Sequence, residues 1–274
     1  TVHFDIQRLE DLFSGVRDDE EYGNHPGLDT LVNGRAVDLV IGGPPCQAYS
    51  LAGRIRDEHG MQDDYRNFLF ESFVGVLERY RPRAFLFENV VGMLSAAPGG
   101  TPIVDRIRSA FDAAGYATAS SYRECVFDMS QYGVPQRRRR VILLGLDRTS
   151  FPETQPVLDR FYARGEPGLV PRMPPFNVQD AIGHLPPLFP LSPLDEGFGP
   201  RTSHAPGPSS DPNHQPRYHN QRDIETFRLL AQDLADGTNA YTATEAIRQL
   251  YTERTGRTAS VHKYHVLRPD EPSN

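Results

Sequence analysis

The sequence predicts an α/β fold in which a sheet is covered by helices on both of its faces. Short, continuous apolar runs of strand length alternate with longer segments whose apolar residues recur every three or four positions. Because such apolar strands are buried on both faces, the order indicates repeated strand–helix units and a mostly parallel sheet. At 274 residues the chain can hold one large domain, or one domain and part of a second.

The first third of the chain opens the predicted sheet. "TVHFDI" (1–6) predicts a short first strand, and "VDLVIGG" (37–43) predicts a buried strand that ends in glycines. "RNFLFESFVGVLERYRP" (66–82) predicts a helix, because its apolar residues fall at i, i+3, i+4 and i+7. That apolar stripe consists of Phe70, Phe73, Val74 and Leu77.

The alternation continues to residue 147. "RAFLFENV" (83–90) predicts the next strand, residues 101–115 a helix, and "ATASSYRECVFD" (117–128) and "RRRRVILLGLD" (137–147) two more strands. We therefore assign residues 1–150 to one α/β domain.

The composition changes after this domain. Residues 151–216 contain 15 of the 24 prolines, which excludes long regular elements there. A helix pattern resumes at 220–236. We assign residues 151–274 to a second, loop-rich region.

Composition also narrows the function classes. The net charge of −7 opposes nonspecific nucleic-acid binding by bulk charge, although a local basic groove remains compatible with it. No apolar stretch approaches the ~20 residues of a membrane span, and no signal peptide is recognisable, so we expect a cytoplasmic protein without membrane contact. The 2 cysteines form no disulfide framework, which favours a reducing compartment. No cysteine accompanies the candidate metal-binding histidines, so we expect no metal site; these are His204, His214, His219, His262 and His265.

The stretch "IGGPPCQAYS" (41–50) places a cysteine where a strand stops. Cys46 follows that strand, and Glu88 lies near the end of the next one. Ligands of such sheets collect at the carboxyl ends of the strands, so we expect both residues at one rim. A thiolate is a strong nucleophile beside positive charge, and a carboxyl group can hold or supply a proton.

Four consecutive arginines begin the last predicted strand. Strand alternation would put Arg138 and Arg140 on one face, and Arg137 and Arg139 on the other. One of these faces is expected to enter the site.

Three ordered motifs resemble the signature motifs of the cytosine-C5 DNA methyltransferases. They are Pro45-Cys46-Gln47, Glu88-Asn89-Val90 and Gln136-x-Arg138-x-Arg140. Further similarity lies at 63–70, 177–188 and 263–273, so that the resemblance spans nearly the whole chain. It implies a Rossmann-like class I methyltransferase sheet in residues 1–150, and a Pro-rich connection with a partial target-recognition region in 151–274.

The resemblance also implies a reaction. Cys46 would attack C6 of a cytosine flipped out of the duplex, and Glu88 would contact N3 and the exocyclic amine. Arg140 would hold the cytosine O2, with Arg138 supporting the same pocket. The methyl group of S-adenosylmethionine would then pass to C5.

The remaining site residues follow from the same resemblance. Asp5 matches the position that meets the adenine amino group of the cofactor, and Leu69 a position that packs near the cofactor. The loop residues expected to contact DNA phosphates are Ser50, Arg54 and Arg66. The motif residues expected to line the substrate site are Pro45, Gln47, Asn89, Val90 and Gln136.

The chain departs from the family pattern at both ends. The expected Phe-x-Gly-x-Gly turn that cradles the cofactor is absent, and Gly197-Phe198-Gly199 follows no strand and is not its equivalent. The last family motifs are absent as well. We therefore expect an incomplete chain, with an insertion near residues 17–30.

The predicted function is DNA (cytosine-5-)-methyltransferase of a bacterial restriction–modification system. Its expected partners are double-stranded DNA, a complementing methyltransferase chain and a cognate restriction endonuclease. The alternatives are a non-autonomous DNA-binding subunit of a split methyltransferase and an RNA cytosine methyltransferase of the same family. A cysteine hydrolase would need a histidine base near Cys46, for which His59 is the nearest candidate in sequence. The target sequence is expected to depend on loops after about residue 190.

Overall fold

A computed structural model gives the fold of the chain. The chain divides into two compact units: residues 1–129 with 138–172, and residues 130–137 with 173–274. Within the residues that the structure describes, no helix has both the length and the apolar character to cross a membrane. The described residues are 2–45, 69–97, 100–163, 173–174, 176–191, 201–205, 213–238, 240–241 and 244–256.

The first unit carries all seven described strands. They are β1 (Val16–Asp19), β2 (Gly23–His25), β3 (Leu39–Gly42), β4 (Ala84–Val90), β5 (Tyr116–Ala117), β6 (Val126–Asp128) and β7 (Arg139–Asp147). Its helices are α1 (Leu9–Ser14), α2 (Gly27–Val32), α3 (Leu69–Tyr80), α4 (Ile103–Ala113) and α5 (Thr154–Tyr162). Short 3₁₀ helices span Val91–Ser95 and Met129–Tyr132.

The main sheet has the order β3–β4–β7–β5, with β6 also paired to β7. Only β3 and β4 run parallel among the described pairs, and β7 is antiparallel to β4, β5 and β6. The prediction of a mostly parallel sheet is therefore wrong for the described part. A continuous apolar strand indicates only that both of its faces are buried. An antiparallel strand has the same pattern when helices cover both sides of the sheet.

An aromatic cluster on one face of the sheet forms the main core. Phe85 and Phe87 of β4 point toward α3 and α4, where they meet Phe73 and Phe111. The ring centroids of Phe85 and Phe111 lie 4.4 Å apart, and those of Phe73 and Phe87 5.3 Å apart. The predicted helix stripe is confirmed, since Phe70, Phe73, Val74 and Leu77 are all buried.

Helix α5 covers part of the opposite face, where Leu158 packs against Leu144 and Leu146. The Tyr162 hydroxyl accepts a hydrogen bond from the Leu144 amide at 2.8 Å and donates one to the Ile142 carbonyl at 3.2 Å. Both faces of the sheet therefore carry helices, which confirms the predicted fold class.

Strand β3 is less well covered than its neighbours. Within the described residues it pairs with β4 alone. Leu39 and Ile41, which lie beside Ala84 and Leu86 of β4, are 46% and 69% exposed. Apolar side chains thus remain open to solvent at this edge of the sheet.

The predicted first strand at residues 1–6 is wrong, because residues 2–8 contain no strand. The Asp5 carboxylate accepts a hydrogen bond from the Gln7 amide at 2.9 Å, and the Asp5 carbonyl accepts one from the Arg8 amide at 3.1 Å. Asp5 therefore bends the chain into α1, since a short acceptor side chain stabilises a turn over an extended strand.

The predicted strand at 117–128 is divided. Strand β5 ends at Ala117 and β6 begins at Val126. Between them the Cys125 and Glu124 amides donate to the carbonyls of Tyr122 and Ser121, which makes this stretch a turn. Apolar content alone did not reveal that turn.

Polar contacts tie the elements of the first unit together. Asp29 of α2 accepts hydrogen bonds from the Arg79 Nε at 3.2 Å and from the Tyr80 hydroxyl at 2.9 Å. At the end of α3, Arg81 Nη1 donates to the Ala114 carbonyl at 2.8 Å, and its Nη2 lies 3.7 Å from Asp147 Oδ1. Arg81 thus links the ends of α3, α4 and β7.

The described part of the second unit contains three α-helices. Its helices are α6 (Val178–Ile182), α7 (Gln221–Ala235) and α8 (Thr244–Thr255). Leu230 of α7 packs with Ile247, Leu250 and Tyr251 of α8 in a small core of its own. The helix predicted at 220–236 is confirmed, with Asn220 capping it by accepting a hydrogen bond from the Asp223 amide.

Replacing Tyr162 by phenylalanine should destabilise the first unit by about 1–3 kcal/mol, because the buried Leu144 amide loses its acceptor. Urea unfolding of the variant and the wild type measures the difference in the free energy of unfolding. Phe161→Leu, on the same helix, is the control. It alters packing but leaves the hydrogen bonds of Tyr162 in place. An unchanged midpoint for Tyr162→Phe would show that the bond contributes nothing.

Asp147 should make stability depend on acid pH. Burial alone would raise the pKa of this carboxyl, but hydrogen bonds from Thr149 and Ser150 outweigh it and hold the pKa below the ordinary 3.8. The stabilisation is therefore present above that value and is lost as the pH falls through the folded-state pKa. We expect the Tm difference between wild type and Asp147→Asn to be largest near pH 7 and to shrink below pH ~4. A difference that is constant with pH contradicts this assignment.

Candidate active site

The site lies where β3 and β4 end. Gly42 at the end of β3 pairs with Phe87 of β4, so the residues that follow each of them share one rim of the sheet. Pro44 and Pro45 continue from β3 at this rim, and Glu88 lies on β4 beside it. The predicted placement of Cys46 beside Glu88 at this rim stays a prediction, because Cys46 lies outside the described residues.

Glu88 and Arg140 form an ion pair across two strands. Arg140 Nε lies 2.8 Å from Glu88 Oε1. In the ladder Glu88 pairs with Ile142 and Arg140 with Val90, so the two charged residues are diagonal neighbours on one face. The Glu88 side chain is 42% exposed and that of Arg140 20%, so the pair is reachable from solvent without being fully hydrated.

The arginine is held by a second contact. Arg140 Nη1 donates to the Arg139 carbonyl at 2.8 Å. Since a guanidinium carries five N–H groups in a rigid plane, two fixed contacts leave further donors in a defined direction. Arg140 can therefore hold Glu88 and still donate to a ligand.

Asn89 has a different environment from Glu88. It is 4% exposed and lies on the core side of β4, where its Oδ1 accepts a hydrogen bond from the Val90 amide at 2.7 Å. The contact lies at the end of β4, where the chain passes into the 3₁₀ helix Val91–Ser95.

The arginine run lies only partly within β7. Strand β7 begins at Arg139, so Arg138 precedes it and strand geometry does not place its side chain beside that of Arg140. The Arg138 carbonyl accepts a hydrogen bond from the Met129 amide at 3.0 Å, and its side chain is exposed. Gln136 belongs to the second unit. The roles of Arg138 and Gln136 remain predictions.

Several predicted site residues lie outside the described part of the chain. They are Cys46, Gln47, Ser50, Arg54 and Arg66, and the alternative base His59. Their roles remain predictions.

The two candidate cofactor residues offer complementary chemistry. Asp5 is a hydrogen-bond acceptor near the start of the first unit, where the carboxylate already accepts from Gln7. Leu69 is an apolar residue, 7% exposed, at the start of α3. An acceptor and an apolar surface fit the amino group and the plane of a purine. The described residues contain no group of three or more His, Cys, Asp or Glu side chains that could hold a metal ion.

Gly43 is the site residue that the motif analysis missed. A Cβ atom placed on Gly43 would lie 3.0 Å from Glu88 Oε2. The only sequence signal for this position is the pair of glycines that ends the strand.

The family of the chain follows from comparison with known proteins. Residues 17–184 match the model of the C-5 cytosine-specific DNA methylase family, which covers more than half of the chain and includes Glu88 and Arg140. The chain belongs to this family.

Curated relatives agree with that assignment. The chain is 40% identical over 159 residues to the Type II methyltransferase M.Bpa9945I of Bacillus paralicheniformis, covering 57% of this chain and 34% of the relative. It is 37% identical over 180 residues to M.AgeI of Thalassovita gelatinovora, covering 62% and 38%. M.AquIA of Picosynechococcus is 39% identical over 169 residues, covering 59% and 65%. The matched part thus spans between about a third and two thirds of the length of these relatives.

The Glu88–Arg140 pair should contribute little to stability. Partly exposed ion pairs typically supply less than about 1 kcal/mol. In a double-mutant cycle of Glu88→Gln and Arg140→Gln, followed by urea unfolding, we expect a coupling energy below that value. The Arg79–Asp29 pair provides a matched surface comparison. A coupling of several kcal/mol would instead assign the pair a mainly structural role.

Proposed function

We propose that this chain carries the catalytic centre of a DNA (cytosine-5-)-methyltransferase of a Type II restriction–modification system. The observation that carries the proposal is the Glu88–Arg140 pair at 2.8 Å, at the rim where the Pro-Pro-Cys segment leaves β3. Membership of the C-5 cytosine-specific DNA methylase family supports cytosine in DNA as the substrate, in preference to the RNA alternative.

In the proposed reaction Cys46 is the nucleophile. Its thiolate forms a bond to C6 of a cytosine that has been extruded from the duplex, and the electron pair of the C5–C6 bond becomes available at C5. Once C5 carries the new methyl group, the C5 proton leaves to a base. The restored double bond then expels the thiolate of Cys46, so that the enzyme is regenerated.

Glu88 and Arg140 act on the opposite edge of the base. Glu88 holds a proton or a hydrogen bond at N3, where negative charge develops when the thiolate adds to C6. Arg140 donates from its remaining N–H groups to the cytosine O2, while its Nε keeps Glu88 in place. One arginine therefore orients both the base and the catalytic carboxyl group.

The remaining motif residues are proposed to support this pocket. Pro45 and Gln47 flank the nucleophile, Asn89 and Val90 shape the strand end at Glu88, and Gln136 and Arg138 border the base. Ser50, Arg54 and Arg66 are proposed to contact DNA phosphates.

S-adenosylmethionine is the proposed cofactor, and it would supply the methyl group as an electrophile. Asp5 is proposed to accept a hydrogen bond from the adenine amino group, and Leu69 to pack against the purine. Both residues have the required chemistry, since Asp5 is an acceptor and Leu69 is buried and apolar.

The cellular compartment and the partners are proposed from the family membership of the chain. We infer a cytoplasmic protein that acts on double-stranded DNA beside a cognate restriction endonuclease, with a complementing methyltransferase chain as a further partner. The second region, residues 151–274, is proposed to contain the Pro-rich connection and part of the target-recognition surface.

Covalent capture tests the proposal. Duplex oligonucleotides containing 5-fluorocytosine should form an adduct with the wild-type chain when S-adenosylmethionine is present, because fluorine at C5 cannot leave as a proton does. The adduct should be absent in Cys46→Ala. It should persist in Cys125→Ala, which removes the other cysteine, buried in the core. Denaturing electrophoresis and mass spectrometry measure it.

The possible outcomes separate the alternatives. An adduct that survives in Cys46→Ala refutes the assigned nucleophile. No adduct with the chain alone, but one after a complementing chain is added, assigns the activity to a split enzyme. Methyl transfer to tRNA without transfer to duplex DNA would favour the RNA alternative.

A further inference from the structure

Two neighbouring glycines end β3 and have different surroundings. Gly42 pairs with Phe87 in the parallel ladder, so Gly43 follows at the level of Glu88. A Cβ atom on Gly42 would lie 2.6 Å from a ring carbon of Phe73, in the aromatic core. A Cβ atom on Gly43 would lie 3.0 Å from Glu88 Oε2 and 3.7 Å from Glu88 Cβ.

The backbone at Gly43 does not itself require glycine. Its φ lies outside the left-handed region, and the following Pro44 favours an extended conformation that any residue adopts. A Cβ atom at position 43 would instead press on the Glu88 carboxylate, which would have to move by a few tenths of an ångström. The preference for glycine at position 43 therefore arises from its contact with one charged group, the Glu88 carboxylate.

This carboxylate is confined on two sides. Arg140 of β7 holds Oε1 at 2.8 Å, and the bare backbone of Gly43 lies beside Oε2. The terminal torsion of a glutamate is broad, so a methyl group at position 43 would turn the carboxylate at a cost that is measurable but small beside the total stability. The direction of its oxygen atoms would change even though the fold survives.

We propose that Gly43 is a positioning residue for Glu88. The absent side chain lets the carboxylate lie between the end of β3 and Arg140, in the orientation that meets the N3 edge of the cytosine. The proposal rests on the methyltransferase function proposed above and adds a residue that acts through Glu88.

A thermodynamic cycle tests the contact without using catalysis. Gly43→Ala is made in the wild type and in Glu88→Ala, and Tm is measured for all four proteins. We expect Gly43→Ala to lower Tm by about 2–4 °C when Glu88 is present, and by much less when Glu88 is alanine. Gly42→Ala is the matched control, because its cost arises at Phe73 and should be the same in both backgrounds.

Kinetics then test the consequence for the reaction. Gly43→Ala should lower kcat for methyl transfer to duplex DNA by about 10-fold, less than the ~10²-fold of a 1 Å misplacement, with little change in KM for DNA. Gly43→Ser, whose side chain is larger, should be at least as impaired. Assays use the chain in whichever form, alone or with its complementing chain, gives wild-type turnover.

The outcomes distinguish this inference from the proposed function. Equal Tm costs of Gly43→Ala in the two backgrounds overturn the contact with Glu88. Unequal costs together with an unchanged kcat overturn the positioning role. If the wild type forms no methylated DNA in any form while the Tm costs differ, the contact stands, but both the proposed function and the catalytic role of Gly43 fail.

Discussion

The antiparallel ladder between β4 and β7 is the constraint on which the rest of the first unit depends. It runs from Ala84 beside Leu146 to Val90 beside Arg140. At one end its core-side residues close the aromatic cluster under α3 and α4. At the other end the same register brings Glu88 and Arg140 together. A slip of either strand by one residue would turn that strand's side chains to the other face and separate Glu88 from Arg140. Packing of the core therefore also fixes the geometry of the candidate site.

Much of this arrangement could be predicted from the sequence. The helix stripe through Phe73, the strand 83–90 and the helix at 220–236 have clear periodicity, because burial selects apolar residues at fixed intervals. Glu88 and Arg140 could be placed in one site because their motifs are short and ordered. What these patterns encode is burial and local chemistry.

Strand direction and turns could not be predicted in the same way. An apolar strand has the same sequence pattern whether its partner is parallel or antiparallel, so the direction of β7 was not visible. At Asp5 a local hydrogen bond to the Gln7 amide prevails over the strand preference of its neighbours. The contact between Gly43 and Glu88 is invisible in sequence, since a glycine gives no sign of which group lies beside it.

The exposed edge of β3 has a consequence for the behaviour of the chain in solution. With Leu39 and Ile41 open to solvent and, in the described part, hydrogen bonding to β4 alone, this strand is a template onto which another strand can add. Such an edge promotes intermolecular β-pairing, and the driving force rises with protein concentration. Self-association of the isolated chain therefore depends on the same short strand that precedes the proline motif.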